Sequence, residues 1–139
     1  MIRISIEDSG FALLAQKARE AMEKSYCPYS GYRVGAAVIT GQNKIYTGCN
    51  IENGSYGASN CAERTALFKA VSEGERDFSA LAVFTDEGNS PPFPCGICRQ
   101  VLSEFCSSDM PLIIFDGDKS VYNVTLGELL PFAFELNKE

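Results

Sequence analysis

Two short motifs place three cysteines and one glutamate where they could share a metal ion. Cys61-Ala62-Glu63 supplies a thiol with a carboxylate two residues later, and Pro94-Cys95-Gly96-Ile97-Cys98 supplies two thiols three residues apart. The chain contains no histidine. Three thiolates can hold Zn²⁺ and leave its fourth tetrahedral position open to water, which distinguishes a catalytic zinc site from a structural one. Glu63, which is not itself a ligand, could then move protons for that water.

Both motifs lie at the start of a predicted helix, where thiolates are favoured. The helix dipole and the free N–H groups of the first turn lower the pKa of a cysteine there. Cys95 and Cys98 lie on the same face of one turn, so both sulfurs can reach one ion, and Cys61 supplies the third ligand. Three thiolates give the zinc centre a formal charge of −1. We therefore expect Arg64, Arg99 or both to donate hydrogen bonds to the thiolates, the alternative being ordinary surface arginines.

The cysteine pattern also has plainer interpretations. A lone CxxC motif fits a structural zinc knuckle or a redox pair. A structural site needs a fourth protein ligand; Cys27, Cys49 or Cys106 could serve, but none has a paired spacing. A redox pair leaves the Cys61–Glu63 motif unexplained. The sequence therefore favours a catalytic zinc site, with the other three cysteines as small buried residues that form no disulfides.

Composition limits the class of protein. The 139 residues suit one domain, 1–139, and 45% of them are apolar, enough for a full core. Twelve basic against eighteen acidic residues give a net charge of −6, without the cationic stripe that a nucleic-acid binder needs. No segment resembles a membrane span, and the first residues lack the features of a secretory signal. We expect a cytoplasmic protein that acts on a small molecule.

The hydrophobic pattern predicts an α/β fold. Strands that alternate with helices after residue 61 indicate parallel pairing, so we expect a three-layer α/β/α arrangement around a mixed five-stranded sheet. Asp8 or Ser9 is the expected N-cap of the first helix, and Thr125 with Glu128 forms a capping box for the last. The predicted helices cover about 9–26, 61–73, 95–105 and the residues after 125, and the strands about 34–40, 44–49, 81–85, 112–115 and 121–124.

Further motifs extend the two cysteine motifs across nearly the whole chain, and together they resemble the cytidine deaminases. The resemblance is to the small, three-cysteine type, whose members are homotetramers. The matching blocks are Cys27-Pro28-Tyr29-Ser30 with Val34-Gly35-Ala36-Ala37, Gly48-Cys49-Asn50-Ile51-Glu52-Asn53, Cys61-Ala62-Glu63-Arg64-Thr65-Ala66, Pro94-Cys95-Gly96-Ile97-Cys98-Arg99-Gln100-Val101 and Glu128-Leu129-Leu130-Pro131.

The resemblance implies a zinc-dependent enzyme of pyrimidine salvage with one Zn²⁺ per subunit. Its reaction would be hydrolytic deamination of free cytidine and 2′-deoxycytidine to uridine and 2′-deoxyuridine, with release of ammonia. In zinc deaminases the glutamate that follows the first metal ligand carries out the proton transfers, and the matching residue here is Glu63.

The resemblance also implies the substrate contacts. Asn50 and Glu52 would bind the ribose 3′-hydroxyl, and a carboxylate at 52 would repel a 5′-phosphate. Tyr32 occupies the position where the family usually stacks a phenylalanine on the base, and stacking survives this change because the ring remains. Ala62 would also contact the substrate.

Two aromatic residues match family positions that reach the site of a neighbouring subunit. These are Tyr56 and Phe134. If the correspondence holds, the subunits of a homotetramer share their active sites.

Two alternative functions stay open. A related deaminase could act on a modified cytosine nucleoside or an antibiotic, although Asn50-Ile51-Glu52 suits a plain ribose. A non-catalytic, structural zinc-binding domain is the alternative from a different class, and Glu63 with the open metal position argues against it.

Overall fold

One mixed sheet carries helices on both of its faces. The computed structural model describes residues 2–5, 10–86, 90–115 and 120–138. The sheet has six strands, in the order β1-β6-β5-β4-β2-β3. The elements are β1 Ile2–Ser5, α1 Ala12–Met22, β2 Gly35–Thr40, β3 Ile45–Cys49, a 3₁₀ turn Tyr56–Ala58, α2 Ala62–Ser72, β4 Phe78–Phe84, α3 Gly96–Phe105, β5 Pro111–Phe115, β6 Ser120–Thr125 and α4 Leu126–Leu129.

The strand directions follow from the connections. β4 and β5 pair in parallel and are joined through α3, as the alternation of strand and helix predicted. β2 pairs antiparallel with both β3 and β4, and β6 pairs antiparallel with β5. The predicted mixed α/β sheet is therefore confirmed.

The structure adds a sixth strand, β1, to the five that the sequence predicted. Ile2–Ser5 pairs antiparallel with β6 and forms one edge of the sheet. This strand has only four residues and depends on a partner at the other end of the chain. Such a short segment carries too little periodicity to predict a strand by itself.

The first helix is shorter than predicted at both ends. Gly10 has a φ of 77°, which ends any right-handed helix at that point, and α1 begins at Ala12. The expected N-cap residues Asp8 and Ser9 lie outside the described residues. At the other end, the Tyr26 N–H donates to the Asn50 carbonyl at 3.0 Å, which places that residue in a bridge beside the 50–60 loop.

Two apolar clusters form the interfaces between the three layers. On one face α1 packs through Leu14 and Ala18 against side chains that include Ala82 and Phe84. On the other face α2 and α3 pack against Leu81 and Val83, the alternate residues of β4. Because β4 is covered on both faces, its sequence is a nearly continuous apolar run. The three-layer α/β/α arrangement is thus present.

Close backbone contact places α2 on the sheet. A Cβ at Gly48 would lie 2.4 Å from the Ala66 nitrogen and 2.7 Å from the Ala62 carbonyl oxygen. A larger residue would push the helix away from β3. The absent side chain therefore helps to position the first turn of α2, which carries Glu63 and follows Cys61.

Among the described residues, none of the helices has both the length and the apolar character that crossing a bilayer requires.

Candidate active site

The three cysteines of the two motifs meet at the N-terminal ends of α2 and α3. Cys61 is the N-cap residue of α2, Cys95 is the N-cap residue of α3, and Cys98 lies in the first turn of α3. Neither N-cap thiol accepts a capping hydrogen bond from its own helix. Both sulfurs are therefore available as ligands, and both stand in the positive field of a helix N-terminus.

The sulfur positions fit a tetrahedral metal site. The Sγ atoms of Cys61, Cys95 and Cys98 all lie within 4.8 Å of one another, and those of Cys61 and Cys95 are 3.9 Å apart. Tetrahedral zinc with Zn–S bonds of about 2.3 Å separates its sulfurs by about 3.8 Å. In the part of the chain that the structure describes, no further cysteine, aspartate or glutamate joins this group. The donor set therefore fits Zn²⁺ with one position left for a non-protein ligand.

Arg64 and the neighbouring thiol favour a thiolate at Cys61. The pKa of Cys61 falls to about 5, first because the Cys98 thiol donates a hydrogen bond to its sulfur and then because Arg64 does. Arg64 Nη2 lies 3.3 Å from Cys61 Sγ. The pKa of Cys98 is raised, because its S–H serves as that donor and because it is buried. A metal ion that binds here would displace the remaining thiol protons.

Glu63 is a buried carboxyl on the same helix turn. Its side chain is only 5% exposed, and burial raises its pKa to about 7. A carboxyl with such a pKa can both take and give a proton near neutral pH. A first-turn glutamate that only interacted with the helix dipole would be expected to be exposed to solvent. The burial of Glu63 therefore argues against a role limited to the helix dipole.

A cleft of about 320 Å³ opens beside the thiols and this carboxyl. Its volume lies at the lower end of the range for small-molecule sites. The residues that line it are Tyr32, Val34, Asn50, Cys61, Ala62, Glu63, Ser90, Pro91, Pro92, Phe93 and Cys95.

Comparison with known proteins identifies the family. Residues 11–114 match the family described as the cytidine and deoxycytidylate deaminase zinc-binding region. The chain belongs to this deaminase family. The cytidine deaminase of Sporosarcina psychrophila is 49% identical over 121 residues, which cover 87% of this chain and 88% of that protein. The cytidine deaminase of Halalkalibacterium halodurans is 48% identical over 122 residues, which cover 88% and 92%.

The solved structures agree with the sequence relatives. The crystal structure of cytidine deaminase from Burkholderia pseudomallei superposes with a TM-score of 0.85 at 45% sequence identity. The match covers 88% of this chain and 98% of that one. The deaminase fold and the zinc cofactor that the sequence predicted are therefore confirmed, and Cys61, Cys95 and Cys98 form a cluster that fits a three-cysteine zinc site.

Three of the predicted substrate contacts lie in the deaminase cleft. Tyr32, Asn50 and Ala62 all line it. The Asn50 side chain also binds the neighbouring part of the wall, since its Nδ2 donates to the Tyr32 carbonyl at 2.7 Å and its Oδ1 accepts from the Val34 N–H at 2.9 Å. One N–H and one lone pair of this amide are left for a ligand.

Glu52 lies beside the cleft and not in its wall. Its Oε1 accepts hydrogen bonds from the backbone N–H groups of Tyr29 and Ser30 at 2.9 and 3.1 Å, and its Oε2 accepts from the Ser30 hydroxyl. These bonds, the Ser30 hydroxyl first, lower the pKa of the carboxyl. In this subunit Glu52 stabilises the turn before Tyr32, and it lines a separate depression with Tyr56.

Tyr56 and Phe134 lie outside the cleft of their own chain. Tyr56 is 78% exposed and meets Tyr29 edge to face at 6.1 Å, and Phe134 is 68% exposed. Neither residue lines the cleft.

The two arginines that follow the motifs behave differently. Arg64 makes the expected hydrogen bond to a zinc-ligating sulfur. Arg99 does not: its Nε donates to the Pro94 carbonyl at 2.7 Å and its Nη1 to the Leu129 carbonyl at 2.9 Å. The guanidinium of Arg99 therefore ties the start of α3 to the end of α4, and the expected bond to the thiolates is replaced by two backbone contacts.

Part of the cleft wall was not predicted from the sequence. Val34, Phe93 and the segment 90–92 line it without having been predicted as site residues. The sequence did contain a signal for these lining residues, because the proline-rich segment leads directly into Cys95 and must therefore lie close to the metal site.

Proposed function

We propose that the protein deaminates free cytidine and 2′-deoxycytidine by hydrolysis, giving uridine and 2′-deoxyuridine with ammonia. The observation that carries this function is the buried carboxyl of Glu63 beside three zinc-ligating sulfurs, in a cleft of nucleoside-binding size. A structural zinc domain has no need of an open cleft or of a buried carboxyl next to its metal.

Glu63 moves the protons of the reaction. When bound, zinc supplies a Lewis acid that lowers the pKa of a water molecule. The Glu63 carboxylate takes a proton from the attacking water and gives it to N3 of the pyrimidine, while the water oxygen forms a bond to C4. Glu63 then takes the remaining proton from the hydroxyl on C4 and gives it to the amino group. The C–N bond breaks, ammonia leaves, and C4 keeps the oxygen as a carbonyl.

The other residues of the cleft bind and orient the nucleoside. The Tyr32 ring stacks on the base, the free hydrogen-bonding capacity of Asn50 meets a ribose hydroxyl, and Ala62 lies against the pyrimidine. Arg64 offsets the negative charge of the thiolates through its bond to Cys61. The carboxylate of Glu52, close to the cleft, disfavours a 5′-phosphate.

The substrate range tests this function directly. The purified protein is expected to convert cytidine and 2′-deoxycytidine. The reaction is measured by the fall in ultraviolet absorbance and by the release of ammonia. We expect CMP and dCMP to react at least about a hundredfold more slowly, because the phosphate meets like charge. Conversion of a modified cytosine nucleoside alone would instead support the antibiotic-type deaminase. A zinc-loaded protein inert toward every cytosine nucleoside would support the structural domain.

We also propose that the enzyme is a homotetramer whose subunits complete one another's sites. Exposed apolar side chains support a contact surface, among them Tyr56 and, on the C-terminal segment, Phe132 at 96%, Phe134 and Leu136 at 74% exposure.

The 1–139 chain acts as one domain, since all described strands join one sheet. Zinc-ligating thiols need a reducing compartment, so we place the enzyme in the cytoplasm, in pyrimidine salvage.

Mixed oligomers test the shared site. Glu63→Gln and Phe134→Ala chains, each weak when expressed alone, are expected to recover activity when they are co-expressed. A site can then combine Glu63 of one chain with Phe134 of the other. Co-expression of Glu63→Gln with an Asn50→Ala chain is the control and should recover nothing, because both residues lie in one cleft. No recovery in either pair would place Phe134 in its own chain's site.

A further inference from the structure

One wall of the cleft is formed by a segment that lies outside the strands of the sheet. Tyr32 and Val34 line the cleft, and β2 begins only at Gly35. Side chains bind much of the backbone of this segment. Ser30 Oγ accepts from the Tyr32 N–H at 3.0 Å, and Asn50 binds both the Tyr32 carbonyl and the Val34 N–H. The position of the wall therefore depends on polar side chains from other parts of the chain.

Thr85 holds this wall from the centre of the sheet. It follows the last residue of β4 and is completely buried. Its N–H donates to the Phe115 carbonyl of β5 at 3.2 Å, which fixes its backbone in the sheet. Its Oγ1 donates to the Arg33 carbonyl at 2.7 Å, between the two wall residues. The hydroxyl of Thr85, next to the end of a central strand, thus fixes the distance between the sheet and the cleft wall.

We propose that Thr85 is a positioning residue for nucleoside binding, acting through the Arg33 carbonyl on Tyr32 and Val34. This inference rests on the proposed function. Loss of the hydroxyl removes a buried hydrogen bond and lets the segment shift, and the ring of Tyr32 shifts with it. Glu63 and the zinc-ligating cysteines belong to other elements, α2 and α3, so they stay in place.

The kinetic consequence is specific. The wall contacts the base in the ground state and in the transition state alike. Its displacement therefore weakens the binding of both states by a similar amount. Loss of such uniform binding raises KM and leaves kcat nearly unchanged. We expect Thr85→Val, which keeps the shape of the side chain, to raise KM for cytidine about tenfold while kcat stays within about twofold.

The fold provides a matched control in Thr40. It is also buried, at 2% exposure, and its Oγ1 accepts from the Gln42 and Lys44 N–H groups at the far end of β2. Thr40→Val makes the same chemical change and also removes hydrogen bonds between a buried hydroxyl and the backbone, away from the cleft. Its KM should equal that of the parent, although its melting temperature falls. Thr85→Ser keeps the hydroxyl and should restore most of the parent KM.

Binding without turnover gives a second measurement. In a Glu63→Gln background, calorimetric titration with cytidine should show about a tenfold higher Kd for Thr85→Val and no change for Thr40→Val. If Thr85→Val does not fold, Thr85→Ala removes the hydroxyl without adding volume and undergoes the same measurements. Zinc content should match the parent in every variant.

Three results would overturn the assignment: an unchanged KM and Kd in the folded Thr85 variant, an equal rise for Thr40→Val, or a loss confined to kcat. If the parent itself fails to convert cytidine, the proposed function is at fault. An active parent with a Thr85 variant of normal KM removes only the role of Thr85.

Discussion

Glu63→Gln is expected to lower kcat for cytidine by about 10³- to 10⁴-fold while the protein keeps its zinc. The amide has nearly the shape of the carboxyl but cannot take a proton from water or return one to the base. Burial of Glu63 in the cleft wall leaves little room for solvent to replace it. Steady-state kinetics, with zinc measured by elemental analysis of the same samples, checks both parts.

Glu73→Gln is the matched control for this variant. Glu73 follows the last residue of the same helix, α2, and is exposed to solvent. It makes the same change of charge far from the cysteines, so its kcat should stay close to that of the parent. A Glu63→Gln enzyme with more than about a tenth of the parent kcat would exclude Glu63 as the proton carrier.

Cys98→Ala should abolish both zinc binding and activity. Two thiolates leave zinc one protein ligand short of the three that a catalytic site provides, and the remaining sulfur of Cys61 loses the partner that most lowers its pKa. We expect well under about 0.1 zinc per chain and activity below about 10⁻³ of the parent. The melting temperature should also fall, because metal binding stabilises the folded state that binds it. Elemental analysis and thermal unfolding measure these effects.

Cys106→Ala separates loss of a ligand from loss of a partly buried thiol. Cys106 closes the other end of α3, packs against the core, and has a pKa raised to about 12 by burial. Its replacement should cost about 1 kcal/mol of stability and leave zinc and activity intact. Full zinc occupancy in Cys98→Ala, or zinc loss in Cys106→Ala, would contradict the ligand assignment.

The chemistry of the site could be predicted because its signals are local. Cys95 and Cys98 belong to one turn, and Cys61 and Glu63 to another, so their spacing already implies which side chains cluster. The capping box of Thr125 and Glu128 was predicted on the same basis and is present in the structure.

The errors concern contacts between distant segments. Arg99 was one of two arginines considered as partners of the thiolates because it follows Cys98, yet its direction on α3 brings it to the carbonyls of Pro94 and Leu129. The edge strand β1 exists because β6 lies open beside it. Neither contact leaves a trace in spacing or composition near the residue concerned.

Residue types and their local spacing were enough to predict the metal, the cysteines proposed to hold it, the carboxyl proposed to carry protons and the mixed α/β class. Those properties depend on single helical turns and on the alternation of strands with helices. The packed fold was needed to show that Glu63 is buried, that Asn50, expected to bind the ribose, also supports the cleft wall, and that Thr85 reaches Arg33 across 52 positions of sequence. Burial and long-range hydrogen bonds arise from how the layers pack, and packing joins residues that no local pattern connects.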